Sequence, residues 1–178
     1  MPAAVASREP CGNDAPLVVA TDFCPEMLRL GRRKGQRAGT GDRLAFVEAD
    51  TLQLPFPDAL FQVVAVAFGL RNVADTGRGL AEMTRVCAQG GQVVVLEFSL
   101  PGNWPLQVVY RWYFTKLLPR IGQLVSASRL NAYNYLPASV GEFPFGQALA
   151  DQMRAAGLAP VTVRPLTCGI ATLYVGRK

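Results

Sequence analysis

The 178-residue chain has no histidine and only four cysteines, Cys11, Cys24, Cys87 and Cys168, none forming a C-x-x-C pair. A His-based catalytic triad and a zinc cluster of the usual Cys/His spacing are therefore excluded within this chain. Any protein base must be a carboxylate, a tyrosine, a lysine or a positioned water. Long apolar runs are missing too. None approaches the roughly 18 residues a helix needs to span a bilayer. The opening residues, MPAAVASREPCGNDAP, lack the basic start and apolar stretch of a secretion signal. Scattered cysteines fit a reduced, cytosolic protein.

Half of the residues are hydrophobic and 17% are charged, a composition that excludes disorder and fits one domain over residues 1–178. The net charge of +5 is modest but unevenly placed. Arg29, Arg32, Arg33, Lys34, Arg37 and Arg43 crowd one short stretch. A second stretch, Phe98 to Gly141, carries Arg111, Lys116, Arg120 and Arg129 and no carboxylate. Nucleic acid, an anionic membrane and plain solvation each explain such patches, so charge alone leaves the partner open.

Periodicity supplies the architecture. Leu17 to Asp22 is a short apolar run closed by an acid, which reads as a buried strand. Glu26 to Gln36 reads as a helix capped by Asp22 or a neighbour, with Arg32 to Lys34 in its last turn before Gly35. Leu44 to Asp50 repeats the pattern of strand followed by acid, and Phe61 to Phe68 is apolar almost throughout, as in a strand covered on both faces. Leu80 to Cys87 fits a helix stopped by Gln89-Gly90-Gly91, and Gln92 to Phe98 follows as another buried strand. Phe145 to Ala156 reads as a helix closed by Gly157, with Val161–Arg164 and Ala171–Val175 as an antiparallel pair. Strands alternating with helices predict a parallel, doubly wound α/β sheet.

An aromatic and basic insertion interrupts this pattern at about residues 100–140. Leu106, Val109, Tyr110, Tyr113, Phe114, Leu117 and Leu118 follow helical spacing, with Arg111, Lys116 and Arg120 elsewhere around the wheel. The stretch fits either an amphipathic helix packed on the sheet or a lid over a flat apolar substrate.

In open α/β sheets, ligands sit beyond the carboxyl ends of the strands. Three strand ends present acids or small residues there: Asp22, then Asp50-Thr51, then Ala67-Phe68-Gly69. Each acid alone fits a helix cap or a solvated strand end. Their recurrence at successive strand ends favours a nucleoside site, with Asp50 able to accept from an adenine amino group and small Ala67 admitting a ligand close to the backbone.

These residues sit inside longer motifs. Asp22-Phe23-Cys24-Pro25-Glu26-Met27-Leu28, Leu54-Pro55-Phe56-Pro57-Asp58 and Phe68-Gly69-Leu70-Arg71-Asn72-Val73 resemble the menaquinone/ubiquinone biosynthesis C-methyltransferases. Leu96-Glu97-Phe98-Ser99 with Pro101, Tyr133-Asn134-Tyr135-Leu136-Pro137 with Ser139, and Leu166-Thr167 with Gly169-Ile170 continue the resemblance. It covers about residues 16–178, and the run FGLRNV is its most specific part. What it implies is a Rossmann-like class I methyltransferase fold binding S-adenosylmethionine. Carried over by position, Asp22 would hold the ribose, Asp50 and Thr51 would flank the adenine, and Ala67, often serine in the family, would lie beside the methionine part. Arg71 and Asn72 would face the substrate.

The reaction implied is C-methylation of a reduced demethylquinone, at or near the inner face of the membrane because the quinone is lipidic. Arg71 would stabilise the developing phenolate, or else serve as a structural ion-pair partner. A nucleic-acid partner is not expected, since the basic stretch is mixed with aliphatic residues, and homo-oligomerisation stays open. The resemblance departs from the family at the start. Nothing in the opening residues supplies a first central strand followed by a glycine-rich turn. The chain is therefore expected to be N-terminally truncated, with a gap in the middle of its sheet. A non-catalytic or partner-completed binding protein is the alternative that follows from that departure.

Overall fold

A computed structural model describes residues 4–7, 17–100 and 143–178. The elements are β1 (Ala4–Ser7), β2 (Val18–Asp22), α1 (Pro25–Arg37), β3 (Leu44–Glu48), β4 (Phe61–Ala67), α2 (Thr76–Val86), β5 (Cys87–Phe98), α3 (Gln147–Ala155), β6 (Val161–Leu166) and β7 (Ala171–Arg177). The strands form one sheet in the order β3-β2-β1-β4-β5-β7-β6. Strands β2 and β3 are parallel, as are β4 and β5, while β7 runs antiparallel to both β5 and β6. This is the α/β alternation expected from the sequence, closed by the expected antiparallel pair, but the sheet is mixed and not parallel, because β1 and β7 each run against both of their neighbours.

The centre of the sheet differs from expectation. Ala4–Ser7 lies between β2 and β4, antiparallel to both, with Ala4 opposite Thr21 and Val66 and Ser7 opposite Val18 and Val63. The gap is filled. Two apolar strands with unpaired backbone edges are costly to leave open, and a short run of small residues suffices to satisfy them. The direction matters for the site. An antiparallel central strand brings its amino end to the edge where β2 and β4 end. It therefore sends no strand-to-helix turn out over that edge. Residues 8–16, and the insertion between 101 and 142 with its proposed amphipathic helix, lie outside the described residues.

Helices cover both faces. On β2, Ala20 and Asp22 point toward α1, whereas Val19 and Thr21 point to the face that packs on Leu54, Phe56, Phe61, Val64 and Val86. The second face carries the core: Leu80 and Met83 of α2, Leu149 and Met153 of α3, Leu158, Val64, Val93, Val95 and Tyr174 are at most 2% exposed.

Helix boundaries move for identifiable reasons. Gly35 does not end α1 but is buried inside it, where an added Cβ would lie 2.7 Å from Leu44 Cδ1. Glycine here allows α1 to approach β3, and the chain turns out instead at Gly39, with φ +69°. Helix α2 starts at Thr76, before the expected Leu80, because Asp75 accepts from the Arg78 backbone N–H at 3.0 Å and caps it. It gives way directly to β5 at Cys87, and Gly90 lies in the irregular stretch between the Phe61–Cys87 and Val63–Gln92 pairs. Helix α3 spans Gln147–Ala155, inside the expected range.

Candidate functional site

The carboxyl ends of β2, β3 and β4 converge on one edge of the sheet. Asp22 closes β2 in register with Glu48, the last residue of β3, and Asp50 follows two positions later. Ala67 closes β4 in register with Leu96 of β5. Both Asp22 and Ala67 thus stand at the edge to which Ala4, the amino end of β1, is also brought.

Asp22 is only 7% exposed. Its Oδ1 accepts from the Cys24 backbone N–H at 2.8 Å, which fixes the turn into α1 without capping the helix itself. Its other oxygen accepts from none of the described residues. Asp50 is exposed, and its Oδ1 accepts from the Leu52 backbone N–H at 2.9 Å. Thr51 is half-buried, and its methyl group would lie 3.6 Å from a Cβ placed on Gly79. Ala67 is exposed and is followed by Phe68 at φ +55°, a conformation that turns the chain sharply off the strand. A buried carboxylate, an exposed acid and a small side chain at strand ends on one edge of the sheet match the donors and the space of an adenosine. The residues present fit that group.

The segment joining Thr51 to β4 is anchored by a residue that sequence reasoning missed. Arg85 of α2 donates to the carbonyls of Leu54 at 3.0 Å and Phe56 at 2.8 Å, and to the carboxylates of Asp58 at 2.7 Å and Glu82 at 2.8 Å. Glu82 in turn accepts from the Leu54 backbone N–H at 2.9 Å. The hydrogen bond from Arg85 holds the Glu82 carboxyl below its ordinary range, and the pair of acids raises Arg85. The signal in the sequence was faint: two charges one helical turn apart, opposite an LPFP segment.

Arg71 sits in a 3-10 turn, Leu70–Asn72, immediately beyond β4. Its Nη1 lies 2.9 Å from Glu97 Oε2, with the side chains 6% and 1% exposed. The guanidinium also stands 5.1 Å from the centre of the Phe98 ring, which packs against Phe68 at 4.5 Å. Asn72 is exposed beside it. Arg71 thus forms an ion pair, as its structural reading expects, and the pair is buried just beyond the end of β4. Glu97 was visible in the LEFS motif without a role, because its partner is 26 residues away. Among the described residues, no three His, Cys, Asp or Glu side chains are grouped to hold a metal ion.

Comparison with known proteins gives the family. Residues 4–178 match the ubiE/COQ5 methyltransferase family. A demethylmenaquinone methyltransferase of Thermus thermophilus is 48% identical over 161 residues, covering 90% of this chain and 71% of the relative. One from Deinococcus radiodurans is 49% identical over 162 residues, covering 90% and 65%. A ubiquinone/menaquinone biosynthesis C-methyltransferase UbiE of a Geobacter species is 41% identical over 174 residues, covering 98% and 72%. Among solved structures, a SAM-dependent methyltransferase from Aquifex aeolicus aligns with a TM-score of 0.61 at 12% identity, covering 89% of this chain and 66% of that one. PigF with SAH aligns at 0.59 and 21% identity, covering 90% and 43%. At such identities these structures show the fold alone: a class I methyltransferase sheet.

Proposed function

Because the chain belongs to the ubiE/COQ5 methyltransferase family, we propose that it methylates a ring carbon of a reduced demethylquinone, with S-adenosylmethionine as cofactor. The observation that carries this reading is the family match over residues 4–178 together with Asp22, Asp50 and Ala67 at strand ends on one edge of the sheet.

Asp22 would accept from the ribose hydroxyls, Asp50 and Thr51 would flank the adenine, and Ala67 would leave room beside the methionine part. When bound, S-adenosylmethionine supplies an electrophilic methyl group on a sulfonium. The ring carbon becomes nucleophilic when a neighbouring hydroxyl gives up its proton; once the methyl has moved, the ring proton leaves and the oxygen is protonated again, so one proton is released per turnover. The protein need not supply a nucleophile. Its tasks are to align the two reactants and to exclude bulk water. Arg71 would stabilise the phenolate, with Asn72 beside it on the substrate side.

The quinone is lipidic, so we place the chain in the cytoplasm with peripheral contact at the inner membrane face. Arg111, Lys116 and Arg120 beside Tyr110, Tyr113 and Phe114 support that contact through charge attraction and apolar burial. No helix among the described residues is long and apolar enough to cross a membrane.

The test is direct. The chain is incubated with methyl-labelled S-adenosylmethionine and a chemically reduced, short-tailed demethylnaphthoquinone. Label recovered on the quinone ring supports the assignment; label left entirely on the cofactor or hydrolysed overturns it for this chain. Salt-reversible co-sedimentation with anionic liposomes checks the membrane contact, which fails if sedimentation is equal with neutral liposomes.

A further inference from the structure

Strand β5 buries alternate residues, and in the row Val93, Val95, Glu97 one of the core positions is an acid. Burying a carboxylate is expensive unless its charge is matched and its oxygens are bonded. Both conditions hold for Glu97. Its Oε2 accepts from Arg71 Nη1 at 2.9 Å and from the Phe98 backbone N–H at 3.2 Å, and its Oε1 faces the Arg71 backbone N–H at 3.4 Å.

Arg71 is less completely satisfied. Its Nε is buried and has no hydrogen-bond partner among the described residues. A buried ion pair that leaves a donor unpaired is a poor device for stability, because well-packed apolar side chains would serve as well or better. An unsatisfied buried donor calls for another explanation, and a ligand atom is one. The location suits it. Leu96 pairs with Ala67, so Glu97 lies one residue beyond the strand end that borders the cofactor site.

We propose that Glu97 is a positioning residue for methyl transfer. It holds the Arg71 guanidinium at one nitrogen, against the Phe98 ring, so that the donors left over meet the oxyanion of the reduced quinone. The inference rests on the reading of Arg71 as a substrate-side residue. Glutamine cannot replace Glu97 fully, because both carboxylate oxygens face N–H donors and an amide nitrogen would face one of them with its own hydrogens.

The experiment compares the full chain with Arg71→Gln, Glu97→Gln and the double variant Arg71→Met/Glu97→Leu. Turnover is measured on the reduced short-tailed demethylnaphthoquinone, with melting temperature followed in parallel. Arg71→Gln is expected to lower kcat at least tenfold with little change in KM for S-adenosylmethionine. Glu97→Gln is expected to show the same split, and the double variant to recover melting temperature without recovering turnover. Full turnover in Arg71→Gln would overturn the substrate-side reading itself. Lost turnover in Arg71→Gln with wild-type kcat in Glu97→Gln would overturn only the role of Glu97. Turnover restored together with stability in the double variant would make the pair purely structural.

A measurement independent of turnover accompanies these. The Arg71 Nε–H signal in a proton–nitrogen NMR spectrum should move when the same quinol is added to the wild-type chain, and should not move in Glu97→Gln. An unmoved signal in the wild type, or an equal movement in both, would overturn the proposal.

Discussion

Arg85 and Glu82 face each other one turn apart on α2 at 2.8 Å, and both reach across to Leu54, one through its carbonyl and the other through its N–H. The pair thereby pins the segment that links Thr51 to β4. Hydrogen bonds involving a charged group contribute more than neutral ones, and those to backbone groups fix the geometry of a loop. Replacing Arg85 by Ala is expected to cost about 2–3 kcal/mol of stability, read as a lower urea midpoint. It should also weaken S-adenosylmethionine binding, because Thr51 precedes the released segment. An unchanged midpoint would show that the exposed half of the network screens the whole.

The same pair sets a dependence on acid. The Glu82 carboxyl is held below its ordinary value of 4.5 by the bond from Arg85 and, less strongly, by the Leu54 N–H. A carboxyl lowered in the folded state contributes stability that is complete above the unfolded value and is lost as pH falls through the folded one. The stability difference between wild type and Glu82→Gln should therefore be constant from pH 6 to 8 and shrink as pH falls below about 4.5. Denaturant titrations at several pH values measure it, and a difference that grows toward acid would contradict the sign.

Gly176 is packed where no side chain fits. An added Cβ would lie 2.9 Å from Leu158 Cβ and 3.2 Å from Met153 Cε, and the first of these is fixed to the backbone. Gly176→Ala is expected to destabilise the chain by about 1–3 kcal/mol, the range for overpacking a dense core. A thermal melt superimposable on wild type would mean that β7 can shift away from α3.

Cysteine reactivity should follow burial. Cys168 is exposed, Cys24 half-buried and Cys87 buried, and burial pushes the Cys87 thiol up from its ordinary value. The thiolate is the reactive form. Iodoacetamide at pH 8 is expected to modify Cys168 and Cys24 while sparing Cys87 until denaturant is added, as peptide mass spectrometry would show. Early labelling of Cys87 would mean that α2 and β5 open readily.

Asp22 keeps one oxygen on the Cys24 N–H, and its other oxygen accepts from none of the described residues. Asp22→Ala should weaken S-adenosylmethionine binding by about 1–3 kcal/mol, the range for leaving polar partners unpaired. Titration calorimetry decides this, with a melting curve to separate lost contacts from a disordered turn. Affinity equal to wild type would remove Asp22 from the cofactor site.

Much of the site was legible before the fold was known. Acids closing consecutive apolar runs, at Asp22 and Asp50, marked strand ends, because a buried parallel strand is apolar until it leaves the sheet. The FGLRNV run located the turn after β4, and the structure adds that its arginine is paired. Glycine was the commonest source of error. Gly35, next to the expected end of the first helix, is buried in the last turn of α1, and Gly77 and Gly79 obscured the first turn of α2, whose true start is set by the Asp75 cap.

Local chemistry alone therefore determined the alternation of strands and helices, the edge of the sheet where acids gather and the family to which the chain belongs. Periodicity and strand-end acids are short-range properties, written within a few residues of each other. What occupies the middle of the sheet was a different kind of question. Ala4–Ser7 has no strong pattern of its own, and it becomes a strand because β2 and β4 each present an edge that must be paired. The same holds for Glu97, an acid in an apolar row until Arg71, 26 residues earlier, is folded against it. A charge in a core is intelligible only with its partner, and the tertiary structure alone supplies the partner.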